Sequence, residues 1–99
     1  MQVDPLLPKE RRKEHRDWQR AVAAELPTLA QRLFGLRGKA FAGHGMRYQL
    51  EKEFGKVVVA ASSIDRAPTV SESLIDQVIY EGFLEDLAAA EASAAELSI

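Results

Sequence analysis

The chain has 99 residues, 46% of them hydrophobic and 28% charged, which is typical of one globular domain and excludes a disordered chain. It contains no cysteine, which excludes disulfides and thiolate metal sites. The net charge of −2 hides two halves of opposite sign: residues 1–56 carry 12 Lys+Arg against 7 Asp+Glu, a net +5, and residues 57–99 carry 1 against 8, a net −7. The basic half therefore predicts contact with an anionic partner or with the acidic half of the same or a neighbouring molecule.

The amino-terminal residues give no sign of export or membrane insertion. The first residues lack the charged, apolar and small-residue segments of a secretory signal. The apolar runs are much shorter than the roughly 20 residues that a spanning helix needs. We therefore expect a single cytoplasmic domain over residues 1–99 with no membrane contact. Pro5 and Pro8 predict an extended lead-in over residues 1–7.

Two helices are predicted next. Trp18, Val22 and Leu26 are spaced by four and indicate an apolar stripe in a helix from about Lys9 to Leu26. The turns before Trp18 are polar all round, so we expect them to project past the core or to lie on something else. Pro27 predicts a break or a kink in this helix, followed by a short helix from Thr28 to Phe34 that Gly35 ends in a left-handed conformation.

The first helix also carries the ingredients of a nucleic-acid contact. Cations bind phosphates, and an aromatic side chain such as Trp18 can stack on a base. Three carboxylates are interleaved with the cations and weaken this signal, and Trp18 is expected in the core. Nucleic-acid binding is therefore the alternative function, through six cations: Lys9, Arg11, Arg12, Lys13, Arg16 and Arg20.

Residues 39–63 predict a three-stranded antiparallel meander. Met46, Tyr48 and Leu50 alternate with polar residues, which is the period of a strand with one buried face. Val57 to Ala61 is a continuous apolar run and predicts the central strand. A third strand over Lys39 to Ala42 would be joined by the turn Gly43-His44-Gly45. The predicted fold class is α+β, with helices on one face of the sheet in the order α-α-β-β-β-α.

The last predicted helix begins at a capping box. Thr69 can cap the helix while Glu72, three residues later, bonds back to the Thr69 amide. We expect a helix from Val70 to about Ala92 and a frayed tail over residues 93–99. Gly82, in the middle of its apolar face, predicts close approach of a packed neighbour.

Apolar surface beyond the needs of one core predicts a docking protein. Phe41 and Val58 would lie on the outer face of the sheet, to be covered by a second element or a partner. Three apolar residues would lie on a second side of the last helix, to be covered by the amino-terminal helices or by a partner. The predicted function is a non-enzymatic protein–protein interaction module. It would be a small subunit, adaptor or inhibitor that binds itself, for example as a homodimer, or a larger assembly such as a phage or secretion-type one. The predicted partner-binding residues are Phe41, Val58, Tyr80, Leu84 and Leu87.

No catalytic pattern accompanies these features. The glycines at 35, 38, 43 and 45 precede predicted strands and do not open a helix, so they do not form a phosphate-binding loop. His44 is placed at a turn and His15 stands alone in a charged helix, with no named partner for either. We therefore expect no enzyme activity, no metal site and no cofactor.

Overall fold

The computed structural model describes residues 3–41 and 45–97. They form three helices, α1 (Lys9–Phe34), α2 (Met46–Ser62) and α3 (Val70–Leu97). Within the described residues there is no strand, and the β-type pairing consists of one isolated bridge between Leu6 and Thr69. The predicted α+β fold class and its meander are therefore wrong. Residues 39–41 are irregular, and the predicted turn at residues 43 and 44, with His44, lies outside the described residues.

The residues of the two predicted strands form α2. Apolar residues at helical spacing can be buried together there, and this burial outweighs the strand-like alternation of polar and apolar residues. Leu50, Val57 and Ala61 are spaced by seven and four, and they are buried on one side of α2. Tyr48, which the strand pattern placed on the buried face, is 72% exposed. The preference of valine for strands depends on its neighbours, and here burial against α1 and α3 decides the conformation.

α1 is one continuous helix with Pro27 inside it, so the predicted break is wrong. Pro27 is exposed on the outer side of the helix, away from the packed stripe that includes Val22 and Leu29. Gly35 has a φ of −62°, and the left-handed turn comes at Gly38, with a φ of 77°. The chain therefore leaves α1 through one further turn before its direction reverses.

α3 begins at the predicted cap and ends later than predicted. The Glu72 amide donates to Thr69 Oγ1 over 3.1 Å, and the Thr69 hydroxyl donates to Glu72 Oε1 over 3.3 Å. The Thr69 cap is confirmed, although Glu72 bonds to the threonine hydroxyl and not to its amide. The helix continues past Ala92 to Leu97, with Ala94 buried in the core.

The three helices lie side by side around one core. Contacts of His15 with Asp76 and of Arg32 with Glu91 show that α1 and α3 are parallel, and the Gln19 contact with Ala60 shows that α2 runs antiparallel to them. The Cα positions extend over 51 × 31 × 15 Å. The largest fully buried side chains are Phe83, Leu7, Leu50, Leu87, Val22 and Val57. So thin a layer leaves the outer sides of α2 and α3 open.

The lead-in is fixed against the start of α3. The Leu7 amide donates to the Pro68 carbonyl and the Val70 amide donates to the Pro5 carbonyl, both over 2.9 Å. Leu7 is 2% exposed. The residues before α1 therefore supply a hydrogen-bond acceptor to one of the first amides of α3, which has no acceptor within its own helix.

Candidate functional site

A half-open cavity of about 580 Å³, which we call the groove, lies where the three helices meet. α2 and α3 form its walls, α1 forms its floor, and residues of the α2–α3 connection close one end. Its volume falls in the range of about 300–1,000 Å³ that is usual for small-molecule sites.

Two buried polar side chains of α1 form the floor. His15 is 3% exposed and Gln19 is 4% exposed. The Gln19 amide Nε2 donates to the Ala60 carbonyl over 2.9 Å, and this bond fixes the side chain and ties α1 to α2. The expectation that the helix projects past the core before Trp18 is therefore wrong for the turn that contains His15.

His15 is held in one orientation by three contacts. Its ring stacks on Trp18 with centroids 5.3 Å apart, and its Nδ1 lies 3.2 Å from Ser73 Oγ. Its Nε2 lies 3.6 Å from Asp76 Oδ2, which is an ion-pair distance when the ring is protonated. Nε2 makes no hydrogen bond with any residue in the described part of the chain. The prediction that His15 stands alone is therefore wrong.

Ser73, His15 and Asp76 are the residue types of a hydrolytic triad, but their arrangement does not present a nucleophile to the groove. Ser73 is 5% exposed and lines a separate cavity of about 60 Å³. A triad serine must reach a substrate while its histidine takes the proton. Here the serine is buried, so the three residues tie α1 to α3.

The two walls of the groove carry side chains of opposite charge. On the α2 wall, Lys52 and Lys56 lie one turn apart. Gly55 lies between them, and Val59 follows Lys56. The α3 wall presents Asp76 and two further residues, Glu72 and Ile79.

The acidic and the basic groups of the groove differ in their local partners. Arg66 and Glu72 form an ion pair at the closed end. Burial raises the pKa of Asp76, and the nearby His15 acts in the opposite direction. Lys52 and Lys56 make no ion pair within residues 3–41 and 45–97. The α2 side of the groove is therefore positively charged, although Glu53, which does not line the groove, offsets part of the charge of Lys56.

A second surface lies on the outer side of α3. Leu74, Ile75 and Val78 are 55%, 55% and 67% exposed, and Gly82 follows Val78 by one turn. None of these four residues lines the groove. We call them the α3 outer face. A Cβ added at Gly82 would meet nothing within 4 Å, so the close neighbour predicted there does not come from the described residues.

The predicted partner-binding residues lie mostly against the core. Leu87 is completely buried, and Val58 is half-buried. Phe41, Tyr80 and Leu84 are partly buried and pack against the core cluster. Arg47 lies over the Phe41 ring, 4.8 Å from its centroid, and Trp18 meets Tyr80 edge to face at 5.7 Å. The described residues form no sheet that could place Phe41 and Val58 on an outer face.

The cations of the predicted nucleic-acid contact are better aligned than the sequence suggested. Lys9, Lys13, Arg16 and Arg20 are exposed and follow the outer stripe of α1 at intervals of four, three and four residues. Arg11 is exposed elsewhere on the helix, and Arg12 donates through Nε to the Leu7 carbonyl over 2.6 Å. Trp18 packs against the core, as expected, and its ring stacks on His15.

Sequence reasoning missed the groove because its residues come from all three helices. One signal was present: His15 precedes Gln19 by four residues and Val22 by seven, so it continues the buried stripe of α1. A polar residue at a core position indicates a buried hydrogen bond. The partners, Ser73 and Asp76, could not be named without the packing of α1 on α3.

Comparison with protein-family models, curated proteins and solved structures finds no match to this chain. Within the described residues, no group of three or more His, Asp or Glu side chains could hold a metal ion. None of the described helices combines the length and apolar character that crossing a membrane requires. The function must be inferred from the groove and the surfaces.

Proposed function

We propose that this protein is a non-enzymatic protein–protein interaction module that docks through the α3 outer face. It acts as a small subunit, adaptor or inhibitor, bound to a second copy of itself or to a larger assembly. The observation that carries the proposal is the exposure of Leu74, Ile75 and Val78, each more than half exposed, on the side of α3 opposite its packed side. Contiguous exposed apolar side chains are characteristic of association surfaces.

The free energy available at this surface suits reversible docking. Complete burial of one Leu, Ile or Val side chain is worth about 1.5–3 kcal/mol, and roughly half of that remains for a side chain that is already half-buried. Three such residues supply a few kcal/mol before the cost of association is subtracted. Further contacts on the partner would be needed for a permanent complex.

Gly82 supports the same surface. A glycine inside a helix costs about 1 kcal/mol relative to alanine. The open space around Gly82 gives no reason for that cost among the residues that the structure describes. A partner helix that packs on Ile75 and Val78 would approach the backbone at Gly82 without meeting a side chain.

Site-specific photo-crosslinking tests the proposal. A photoreactive amino acid at Val78 should give a defined crosslinked product in cells, whereas the same amino acid at Ala24, exposed on α1, should give none. A product of twice 11.0 kDa would identify self-association, and a heavier one would identify another partner. Absence of any product at Val78, or equal products at both positions, would contradict docking through the α3 outer face.

Nucleic-acid binding remains the second candidate, favoured by the α1 stripe of Lys9, Lys13, Arg16 and Arg20. Phosphate contacts by such a stripe predict affinity that falls steeply with salt. Lys13→Glu with Arg16→Glu should abolish binding to RNA and DNA at low salt without unfolding the domain. Lys39→Glu, in the α1–α2 connection, is the control. Absence of binding by the unmodified protein at low salt would eliminate this candidate.

A further inference from the structure

The groove has the features of a ligand site that is separate from the α3 outer face. Its apolar lining comes from Val59, Ala60, Pro68 and Ile79, so it can cover an apolar chain. Its closed end is formed by the Arg66–Glu72 ion pair beyond the carboxyl end of α2. Lys52 and Lys56 stand toward the other end, nearer the amino end of α2. An elongated ligand would therefore have one charged and one apolar end.

The charges of the groove select an anionic head. Glu72 is paired with Arg66, and Asp76 faces His15. Burial raises the pKa of Asp76, because removal of its carboxylate from water disfavours ionisation. Lys52 and Lys56 have no ion-pair partner among the residues described, and ammonium groups one turn apart can both bind one carboxylate or phosphate.

Gly55 adds an independent observation. It lies inside α2 and lines the groove between the two lysines, one turn before Val59. A Cβ added there would meet nothing within 4 Å, so no packing within the described chain explains the glycine. A methyl group at this position would take up space beside a ligand head held by the two lysines, where the ligand chain leaves the head.

We propose that the groove binds a small amphipathic anion, a carboxylate or phosphate monoester that carries an apolar chain. The head lies between Lys52 and Lys56, and the chain runs past Gly55 over Val59 and Ile79 toward Pro68. His15 and Gln19, both fixed by hydrogen bonds, form a rigid floor beneath it. This inference does not depend on docking by the α3 outer face, because no residue of that face lines the groove.

Calorimetric titration of the full chain with four probes tests the ligand class. Octanoate or octyl phosphate should bind with one molecule per chain, and the tighter of the two identifies the preferred head. Octyltrimethylammonium, with the same chain and opposite charge, and acetate, with a head and no chain, should not bind. Equal binding of octyltrimethylammonium and octanoate would overturn the proposal, as would the absence of binding by both anions at millimolar concentration.

Two pairs of variants locate the site. Lys52→Gln with Lys56→Gln should weaken binding about tenfold or more. Lys9→Gln with Lys13→Gln, the same pair spacing on the exposed side of α1, should leave it unchanged. Gly55→Ala should weaken binding, whereas Gly82→Ala should not. Circular dichroism confirms that each variant folds. Unchanged affinity in the Lys52/Lys56 variant would place the ligand elsewhere and overturn the proposal.

Discussion

The two sides of α3 are both apolar, but they have opposite environments. On the inner side, Phe83 and Leu87 are completely buried against α1 and α2. On the outer side, Leu74 and Val78 are 55% and 67% exposed. Hydrophobic composition alone therefore does not identify the core side of a helix. The positions of α1 and α2 select that side and leave the other apolar side exposed.

The largest effect that separates the two sides is expected at Phe83. Its ring packs on Phe54 with centroids 5.7 Å apart, at zero exposure. Phe83→Ala should lower the free energy of unfolding by about 3–5 kcal/mol, because it removes buried surface and leaves a cavity. Chemical denaturation monitored by circular dichroism measures this loss. A loss below about 1 kcal/mol would show that the inner side is not the core.

A smaller effect of opposite sign is expected at Gly82. Gly82→Ala should raise the free energy of unfolding of the isolated chain by about 0.5–1 kcal/mol, since alanine favours helix and the space is open. Denaturation at low protein concentration gives this value. If the variant is instead less stable, and only at high concentration, the outer side is occupied by a second copy.

The next effect depends on pH and concerns Asp76, which lines the groove beside His15 and Glu72. Burial raises the pKa of Asp76 in the folded state above its unfolded value, so ionisation of this carboxyl costs stability. This cost is absent below the unfolded pKa and complete above the raised folded pKa. The stability of Asp76→Asn relative to the unmodified protein should therefore increase from about pH 3 to about pH 7. Denaturant midpoints across that range measure the difference, and a decrease would contradict the assigned cause.

The smallest effect is expected at Val78. Val78→Ser on the outer side should change the free energy of unfolding by no more than about 0.5 kcal/mol. The same substitution at Val57, which is 1% exposed on α2, should cost about 2 kcal/mol or more. Thermal and chemical unfolding of the two variants compare them directly. Similar losses at both positions would mean that the outer side is buried in solution.

The sequence allowed correct prediction of the elements that depend on local chemistry. The Thr69 cap and the start of α3 followed from residues three positions apart, and the predicted start of α1 at about Lys9 is confirmed. The break at Pro27 was wrong because a proline on the exposed side of a long helix can be tolerated when the opposite side is packed.

Residues 46–62 were assigned wrongly because two periods are superimposed there. Met46, Tyr48 and Leu50 have the period of a strand, while Leu50, Val57 and Ala61 have that of a helix. The first set is more conspicuous, but only the second can be buried between α1 and α3. The groove depended on that assignment, so Lys52, Gly55 and Lys56 could not be recognised as one wall of a cavity.

The pairing of the lead-in with Pro68 and Val70 has a practical consequence for anyone who engineers this chain. Deletion of residues 3–7 would remove the Pro5 carbonyl from the first turn of a helix that begins far away in sequence, together with the buried Leu7. Such a truncation would therefore destabilise the first turn of α3. Affinity tags are therefore better attached after Leu97 than before Val3.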